Sequence, residues 1–257
     1  MNPEFYEELA VYYHLLFDDW DAAIERQARV LDALIRSHAR GDALQVLDCS
    51  CGIGTQSLGF AKVGYRVVGS DVSAAAIARA KREAAKRGLG VSFRVSDMTC
   101  LAEIAETGFD VVASLDNALP HLDADALEMA IRAMGSKVKP GGLLLASIRD
   151  YDALITERPT VQGPAFYGEG EDRRIVHQVW EWMGLDRYVV HLYLTICTGR
   201  EWTAHHFVSE YRCVLREEIS RGIRASGFAN PQWIMPAESG YYQPLVLAVK
   251  DRSDSKE

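Results

Sequence analysis

The chain has 257 residues, of which 48% are hydrophobic and 25% are charged, and its formal net charge is −8. That length and composition are typical of a globular protein with one well-buried domain and a sizeable insertion or small cap. The acidic balance argues against nucleic acid as a partner, because phosphate backbones are bound by clustered Lys and Arg. No apolar run approaches a membrane-spanning length, so no membrane partner is expected.

The five cysteines are odd in number and show no Cys-x-x-Cys spacing. They therefore suggest neither a disulfide framework nor a metal site. The N-terminus lacks the basic and then apolar pattern of a signal sequence. We expect packed, reduced thiols in a cytoplasmic protein.

Two helices are predicted ahead of the first strand. Asn2 caps and Pro3 opens the first, in which apolar and aromatic residues recur at helical spacing as far as Trp20. The second covers about residues 21–38 and has one apolar face. A segment in this position is free to fold across the ligand edge of the sheet that follows.

The central motif is the stretch 44–54, in which a short apolar run ends at Asp48 and is followed by Gly52 and Gly54. This pattern predicts a buried parallel strand, a tight turn and the start of a helix. Glycines without a Cβ let backbone N–H groups approach a ligand closely. By itself, Gly-x-Gly after a strand is a weak signal.

Two further strand ends strengthen that signal. The strand 66–70 runs into Asp71, whose carboxylate is suited to accept hydrogen bonds from both hydroxyls of a ribose. The strand 91–95 is followed by Asp97 and Met98, an acid and a soft apolar side chain suited to an adenine amino group and ring. Strands 109–114 and 143–149 and helices 54–62, 73–87 and 125–138 continue the alternation. The sequence therefore predicts a parallel sheet covered on both faces, with ligands at the carboxyl ends of its strands.

As a set, these motifs resemble the signature of the class I S-adenosylmethionine-dependent methyltransferases over about residues 40–150. Its places are filled by Asp48-Cys-Ser-Cys-Gly52-Ile-Gly54, Asp71, Asp97 and Pro140-Gly141-Gly142. The resemblance implies a Rossmann-like, doubly wound, mostly parallel seven-stranded α/β sheet with S-adenosyl-L-methionine as cofactor. It implies cofactor contacts from Asp48, Gly52, Gly54, Asp71, Val72, Asp97, Met98 and Leu115. In related methyltransferases an N-terminal helix closes over the methionine part of the cofactor, which by position suggests Tyr13, Trp20 and Arg26, the last on the methionine carboxylate, with Arg29 nearly as suitable.

Two loops at the predicted ligand edge carry polar groups. After strand 109–114 comes Asp116-Asn117-Ala-Leu-Pro-His121, and after strand 143–149 come Arg149, Asp150 and Asp152. An arginine leaving an apolar strand needs an anion, which is either Asp150 or Asp152 or the carboxylate of a substrate. His121 is either structural or, with Asp116 or a water, an acceptor for the proton of an amine.

The same two loops narrow the resemblance to the glycine N-methyltransferase family, which shows Gly-Asn-x-x-x-His-Leu and His-Arg-Asn-Tyr-Asp at these places. The asparagine and arginine of that family hold an amino acid substrate, which implies this role for Asn117 and Arg149. A tyrosine of the family near position 211 adds Tyr211. The residues at 116, 120 and 148 differ from the family pattern, so glycine itself is not assured.

Residues 151–215 break the alternation. A loop around Gly163-Pro164 precedes three segments of period two, 175–182, 188–198 and 202–213, which predict an antiparallel β lid inserted after strand five. A helix at 217–225 and strands near 233 and at 245–249 end the fold, and 251–257 is a polar tail. The predicted organisation is therefore an N-terminal helical cover (1–40), a cofactor-binding core (41–150), the lid (151–215) and a C-terminal helix and strands completing the core (216–257).

The function predicted from the sequence is methyl transfer to the nitrogen of a small amine, an amino acid or its N-methylated form, with Arg149, Asn117, His121 and Tyr211 at the acceptor. A methyltransferase for another metabolite, an NAD-dependent oxidoreductase, a non-catalytic cofactor-binding protein and a homo-oligomer remain open alternatives. Ser57 at the place of a third glycine and the lack of Tyr-x-x-x-Lys count against the oxidoreductase.

Overall fold

A computed structural model describes residues 3–39 and 44–252. The predicted Asn2 cap, the boundary at residues 40 and 41, and the last five residues of the polar tail lie outside these ranges. Within them, no helix is long and apolar enough to cross a membrane.

Eight helices and eleven strands are described in these ranges. The helices are α1 (Pro3–Leu9), α2 (Trp20–His38), α3 (Thr55–Lys62), α4 (Ala74–Lys86), α5 (Ala124–Lys137), α6 (Tyr151–Glu157), α7 (Arg216–Ala225) and α8 (Pro236–Ser239). The strands are β1 (Gln45–Asp48), β2 (Arg66–Asp71), β3 (Val91–Val95), β4 (Phe109–Ser114), β5 (Val138–Ser147), β6 (Val161–Tyr167), β7 (Arg174–Met183), β8 (Arg187–Thr198), β9 (Glu201–Arg212), β10 (Phe228–Ile234) and β11 (Leu245–Lys250).

The main sheet has seven strands in the order β10-β11-β5-β4-β1-β2-β3. The five strands from β5 to β3 are parallel, whereas β11 is antiparallel to both β5 and β10. Central strands buried on both faces explain the apolar runs of the sequence, since Val46, Leu47, Val111 and Val112 are fully buried. The predicted fold class is confirmed.

Side-chain caps fix where several helices begin. Ser73 accepts a hydrogen bond from the backbone N–H of Ala76 at 3.0 Å, as its position in the sequence predicted, and so starts α4 just past β2. Asp123 caps α5 in the same way, through the backbone N–H of Ala126 at 2.8 Å. These caps place the loops before α4 and α5 at the carboxyl edge of the sheet.

The insertion after β5 is a separate four-stranded antiparallel sheet, β6-β7-β8-β9. Only three strands were expected, and the segment around Gly163-Pro164 was wrongly predicted to be a loop. It is the edge strand β6, which has a register irregularity between Gln162 and Ala165. An edge strand tolerates a proline, which has no N–H to donate. Because most of β6 is exposed, its sequence has no buried face that would produce an alternation of apolar and polar residues.

The N-terminal segment also differs from its prediction. One helix was expected from Pro3 to about Trp20, but α1 ends at Leu9, a 3₁₀ turn covers Tyr13–Leu16, and α2 begins at Trp20. Asp19 caps α2 by accepting from the N–H of Ala22, so the chain must leave helical geometry just before it. After this break, the side chains of Tyr13, Leu16 and Phe17 lie at the carboxyl edge of the main sheet.

Candidate active site

A first cavity lies at the carboxyl ends of β1, β2, β3 and β4. Its empty volume, which includes the space at its open mouth, is about 600 Å³. It is lined by Tyr6, Tyr13, Cys49, Ser50, Cys51, Gly52, Ile53, Thr55, Gln56, Asp71, Val72, Ser96, Met98, Leu115, Asp116, Ala118 and His121. Six of the predicted cofactor residues are therefore in its wall: Tyr13, Gly52, Asp71, Val72, Met98 and Leu115.

The turn after β1 forms one side of this cavity. Gly52 has a φ of +52° and Gly54, at the start of α3, a φ of +98°, conformations that favour glycine. A Cβ placed on Gly52 would meet no atom within 4 Å, so the backbone here faces open space. A ligand can approach the peptide groups of this turn closely.

Asp71 ties this turn to the start of α4. Its Oδ2 accepts from the N–H of Gly52 and its Oδ1 from the N–H of Ser73, both at 2.9 Å. Burial raises the pKa of the Asp71 carboxyl, while the two backbone donors oppose that rise. Each oxygen keeps acceptor capacity for a ligand in the cavity.

Asp48 has a different place from the one predicted for it. It is fully buried beneath the turn, is not among the residues lining the cavity, and accepts from the Ser57 hydroxyl at 2.7 Å. Burial raises the pKa of Asp48 to about 7, against the effect of the Ser57 bond. The carboxyl group therefore links the end of β1 to α3 from below the cavity.

In the loop after β3, some side chains face the first cavity and others face solvent. Ser96 and Met98 line the cavity, whereas Asp97 is exposed and accepts from the backbone N–H of Thr99 at 2.8 Å. Gly54 is not in the cavity wall either, and a Cβ placed on it would lie 3.4 Å from side-chain atoms of Ala80, Leu58 and Phe93.

The N-terminal candidates separate from one another. Tyr13 reaches the cavity, while the buried Trp20 contacts it only indirectly, because its indole N–H donates to the hydroxyl of Thr55 at 2.9 Å. Arg26 is exposed and lines another cavity, together with Phe17 and Tyr241.

A second cavity adjoins the first beneath the four-stranded sheet. Its empty volume is about 750 Å³, and it is lined by Phe5, Tyr6, Leu9, Tyr13, Leu16, Phe17, Asp116, Asn117, Arg149, Gln178, Val190, Leu192, Tyr211, Tyr242 and Gln243. Tyr6, Tyr13 and Asp116 belong to both cavities. These three residues mark the junction where ligands in the two cavities would meet.

Arg149 is held in the second cavity by uncharged groups. Its guanidinium donates to the Tyr188 hydroxyl at 2.9 Å and to Gln178 Oε1 at 3.4 Å. It also lies 4.8 Å from the ring centroid of Trp180 and 5.2 Å from that of Tyr211. The Tyr188 and neighbouring hydroxyls raise the pKa of Arg149 despite its burial, so the group is permanently charged.

The two acids next to Arg149 in the sequence pair elsewhere. Arg216 lies 3.5 Å from Asp150 and 3.2 Å from Asp152. In the ranges 3–39 and 44–252, no carboxylate lies within ion-pairing distance of Arg149. The alternative of a local ion pair between Arg149 and Asp150 or Asp152 is therefore wrong, because both acids turn toward α7.

Asn117 supports Arg149 through the backbone. Its Oδ1 accepts from the N–H of Arg149 at 2.9 Å and from the Tyr151 hydroxyl at 3.1 Å. The Tyr151 hydroxyl lies 2.9 Å from that of Tyr188, which closes a network back to the guanidinium. The Nδ2 group of Asn117 is buried without a partner in the described residues, so a donor remains free at this wall.

His121 and Tyr211 lie at the back of the junction. The hydroxyl of Tyr6 is 2.5 Å from His121 Nε2, and the rings of His121 and Tyr211 have centroids 4.1 Å apart. Burial, together with the charge of Arg149, lowers the pKa of His121 to about 3. The imidazole is therefore neutral at physiological pH, and burial raises the pKa of the neighbouring Tyr211 to about 12.

Several residues that the structure brings to the two cavities or to Arg149 were not predicted from the sequence, and four of them are polar or aromatic groups close to Arg149 or at the wall of the second cavity. These four are Tyr6, Gln178, Tyr188 and Tyr242. Gln178 and Tyr188 belong to the period-two segments of the lid, where a polar residue on the inward face was the available signal. Tyr6 sits in α1 and Tyr242 in the loop before β11, and nothing local distinguishes either from a packing residue.

This fold is that of the class I S-adenosylmethionine-dependent methyltransferases, and residues 46–142 match the family model described as a methyltransferase domain. Among curated proteins, the chain is similar to ubiquinone biosynthesis O-methyltransferases of Brucella anthropi (37% identity, 41% of each chain) and Methylocella silvestris (34% identity, 52% of this chain and 53% of that protein). The chain spans about half the length of these curated relatives.

Solved structures resemble nearly the whole chain. DesVI of Streptomyces venezuelae has a TM-score of 0.76 at 17% identity over 93% of this chain and 95% of its own. A methyltransferase of Clostridium acetobutylicum has a TM-score of 0.73 at 16% identity over 94% and 96%. The amino pentose methyltransferase CalS10 of Micromonospora echinaspora, with S-adenosylmethionine bound, has a TM-score of 0.72 at 22% identity over 88% and 91%. At these identities the likeness is one of fold, and the narrower resemblance to glycine N-methyltransferases stays a prediction.

Proposed function

We propose that the protein transfers a methyl group from S-adenosyl-L-methionine to the nitrogen of a small amine that bears a carboxylate, such as an amino acid or its N-methylated form. The observation that carries the acceptor assignment is the guanidinium of Arg149, which faces the second cavity without a carboxylate partner among the described residues. The cofactor assignment is supported by the fold, the matched family model and the chemistry of the first cavity.

The first cavity suits the parts of the cofactor. Asp71 offers a fixed carboxylate for ribose hydroxyls, Gly52 an open backbone turn, and Met98 a soft apolar surface for a purine ring. When bound, S-adenosyl-L-methionine supplies an activated methyl group, so the chain chiefly has to align an acceptor with it. Tyr6, Tyr13 and Asp116 lie where that alignment is needed.

Arg149 is suited to grip an anion. Two of its five N–H donors are used on Tyr188 and Gln178, which leaves three for a ligand. A partly buried guanidinium loses hydration that neutral partners replace only in part. A carboxylate in the second cavity would restore this loss through charge-assisted hydrogen bonds.

His121 is a poor base for the proton of an ammonium group. A pKa of about 3 means that protonation of the buried imidazole beside Arg149 is strongly unfavourable. We therefore assign His121 a positioning role, in which the hydrogen bond between its Nε2 and the Tyr6 hydroxyl fixes Tyr6 at the junction.

The proposal is tested by calorimetry and by kinetics. Titration with S-adenosylhomocysteine should show binding, and a screen with labelled S-adenosylmethionine should show turnover of amino acids such as glycine, sarcosine and alanine but not of their carboxyl amides. Arg149→Lys should raise the Michaelis constant of the amino acid by about 10- to 100-fold while cofactor affinity stays nearly unchanged, because lysine keeps the charge but loses the fork. Equal turnover of an amino acid and its amide would overturn the carboxylate assignment.

The second candidate function is O-methylation, favoured by the identity of 34–37% to proteins named as ubiquinone biosynthesis O-methyltransferases. The matched family model ends at residue 142, before Arg149 and the four-stranded sheet. A parallel screen with catechols and hydroxybenzoates distinguishes the two, since turnover of these compounds alone would favour O-methylation.

A further inference from the structure

Asp116 occupies a strained turn at the end of β4. It has a φ of +59° and Asn117 a φ of +64°, a left-handed pair that Asp and Asn tolerate better than other side chains. The Asp116 N–H donates to the Ser147 hydroxyl at 2.8 Å, and the Asn117 N–H donates to the Ser147 carbonyl at 3.2 Å. These bonds to the end of β5 hold the carboxylate of Asp116 in the wall shared by the two cavities.

Two tyrosines from distant parts of the chain hold this carboxylate. The Tyr13 hydroxyl donates to Oδ2 at 2.6 Å, and the Tyr242 hydroxyl donates to Oδ1. Tyr13 comes from the 3₁₀ turn before α2 and Tyr242 from the loop before β11. A carboxylate has about four acceptor positions, so two remain for a ligand.

Opposite charges therefore line the second cavity without neutralising each other. Asp116 and Arg149 both face it, and the charge of Arg149 lowers the pKa of Asp116, yet no ion pair joins them. Tyrosine hydroxyls bind the Asp116 carboxylate, while a tyrosine and a glutamine bind the Arg149 guanidinium. A ligand with a cationic and an anionic end would bridge the gap.

We propose that Asp116 receives the nitrogen of the acceptor and takes one of its protons, with Tyr13 and Tyr242 positioning the carboxylate. This inference rests on the proposed function and deepens it, because it names the group that meets the reacting atom. Asp116 stands where the glycine N-methyltransferase pattern has glycine, so the role belongs to this chain and does not follow from that resemblance.

Every proton and electron pair in this methyl transfer is accounted for. An amino acid bound with its carboxylate at Arg149 and its ammonium group at Asp116 gives one ammonium proton to the Asp116 carboxylate and becomes a neutral amine. Its lone pair forms the new N–C bond as the methyl–sulfur bond breaks, and the electron pair of that bond stays on sulfur. The methylated ammonium leaves with the positive charge, and the proton on Asp116 passes to solvent.

The proposal predicts an acid limb in the activity. Burial raises the pKa of Asp116, whereas the bonds from Tyr13 and Tyr242 and the charge of Arg149 lower it. Other titratable groups that interact with Asp116 are Tyr6, Tyr211, Tyr241 and Asp48. Activity is lost as the pH falls through the pKa of Asp116, and Tyr242→Phe, which removes a stabilising donor, moves this limb to higher pH.

The closing experiment measures binding, with S-adenosylhomocysteine at saturation. Isothermal calorimetry compares glycine with glycolate and alanine with lactate, pairs that keep the carboxylate and differ in the nitrogen. The wild-type protein should bind each amino acid about 10- to 100-fold more tightly than its hydroxy acid. Asp116→Asn should abolish this preference and leave hydroxy-acid affinity unchanged, while Arg149→Lys weakens both members of each pair.

Two controls guard against misfolding. Asn keeps the size and the left-handed tolerance of Asp116, and Tyr242→Phe keeps the ring of a residue that is 51% exposed. An unchanged circular dichroism spectrum and cooperative urea unfolding show that each variant is folded.

The outcomes separate the two proposals. If Asp116→Asn retains the preference for the amino acid and the acid limb, the role of Asp116 is overturned while the grip of Arg149 stands. If none of the four acids binds to the wild-type protein, the proposed function fails and this inference fails with it. Loss of the preference in Asp116→Asn, with a shifted limb in Tyr242→Phe, supports the inference.

Discussion

The two cavities are built in different ways. The first is made mostly by the carboxyl ends of neighbouring parallel strands, and its polar groups are backbone turns and a carboxylate such as Asp71, which is bonded to residues within about one βα unit. The second takes its wall from α1, the loops after β4 and β5, the four-stranded sheet and the loop before β11. In its Asp116 cluster, the bonded residues are 103 and 126 positions apart.

The two cavities therefore depend on different features of the fold. A cavity made at one edge of a parallel sheet needs only the strands to pair and the caps to hold. A cavity closed by an inserted sheet and a terminal segment depends on how those parts pack. Outside the shared residues Tyr6, Tyr13 and Asp116, we therefore expect substitutions in the first cavity to affect the cofactor alone and those in the second to affect the acceptor alone.

The largest expected effect is that of Asp71→Ala on the first cavity. It removes the acceptor of the Gly52 and Ser73 N–H groups and of a bound ribose, and should weaken S-adenosylhomocysteine binding by about 2–4 kcal/mol. Calorimetry measures this. Asp97→Ala is the matched control, because Asp97 is exposed and bonded only to its own loop, and it should cost less than about 1 kcal/mol. Equal losses in the two variants would contradict the assignment.

The next effect concerns the support beneath the first cavity. Because burial raises the pKa of Asp48 from its ordinary value to about 7, the folded state keeps a proton that the unfolded chain releases above about pH 4. Its contribution to stability therefore declines as the pH rises from about 4 to about 7. Asp48→Asn removes this dependence, so relative to the wild-type protein it should gain about 1–3 kcal/mol in unfolding free energy between pH 5 and pH 8.

Urea unfolding of both proteins at the two pH values measures this difference. Ser57 keeps an oxygen acceptor in the variant, which limits the cost of the change itself. Parallel pH dependences for the two proteins would mean that Asp48 is ionised in the folded state at pH 5.

A smaller effect is expected from Tyr188→Phe in the second cavity. The change removes one neutral partner of Arg149 and the bond to Tyr151, and keeps the ring stacked 4.6 Å from Trp180. The Michaelis constant of the carboxylate acceptor should change by a factor that corresponds to about 0.5–1.5 kcal/mol of free energy, and S-adenosylhomocysteine affinity should be unaltered. Initial-rate kinetics and calorimetry together decide, and a change confined to cofactor affinity would contradict the separation of the two cavities.

The smallest effect sharpens the comparison at the N-terminal segment. Arg26 is exposed and lines a different cavity, so Arg26→Ala should change S-adenosylhomocysteine affinity by less than about 0.5 kcal/mol. Trp20→Phe, which removes the bond to Thr55 in the wall of the first cavity, should cost about 1 kcal/mol. A large loss in Arg26→Ala alone would restore the prediction that Arg26 binds the methionine carboxylate.

The sequence predicted the first cavity better than the second. The strand that ends at Asp48 is followed by the turn at Gly52, and the next strand ends at Asp71. These local patterns were enough to predict both the turn and the Asp71 carboxylate that is bonded to it. It was not enough to tell that Asp48 lies beneath the cavity, since one position along a strand end separates a wall residue from a buried one. In the second cavity, Arg149 and Asn117 were predicted because their loops resemble those of the glycine N-methyltransferase family, but Tyr6, Tyr188 and Tyr242 were not predicted.

The sequence by itself determined the parallel α/β core, its order of elements and the edge of the sheet at which the first cavity lies, because apolar periodicity, helix caps and glycine turns act over a few residues. Only the tertiary structure decided the partners of the charged groups. It turned Asp150 and Asp152 toward Arg216, left Arg149 to neutral hydroxyls, and joined Tyr13 and Tyr242 on Asp116. Hydrogen bonds and ion pairs act over a few ångströms, so their partners follow from packing between distant segments, which no local pattern encodes.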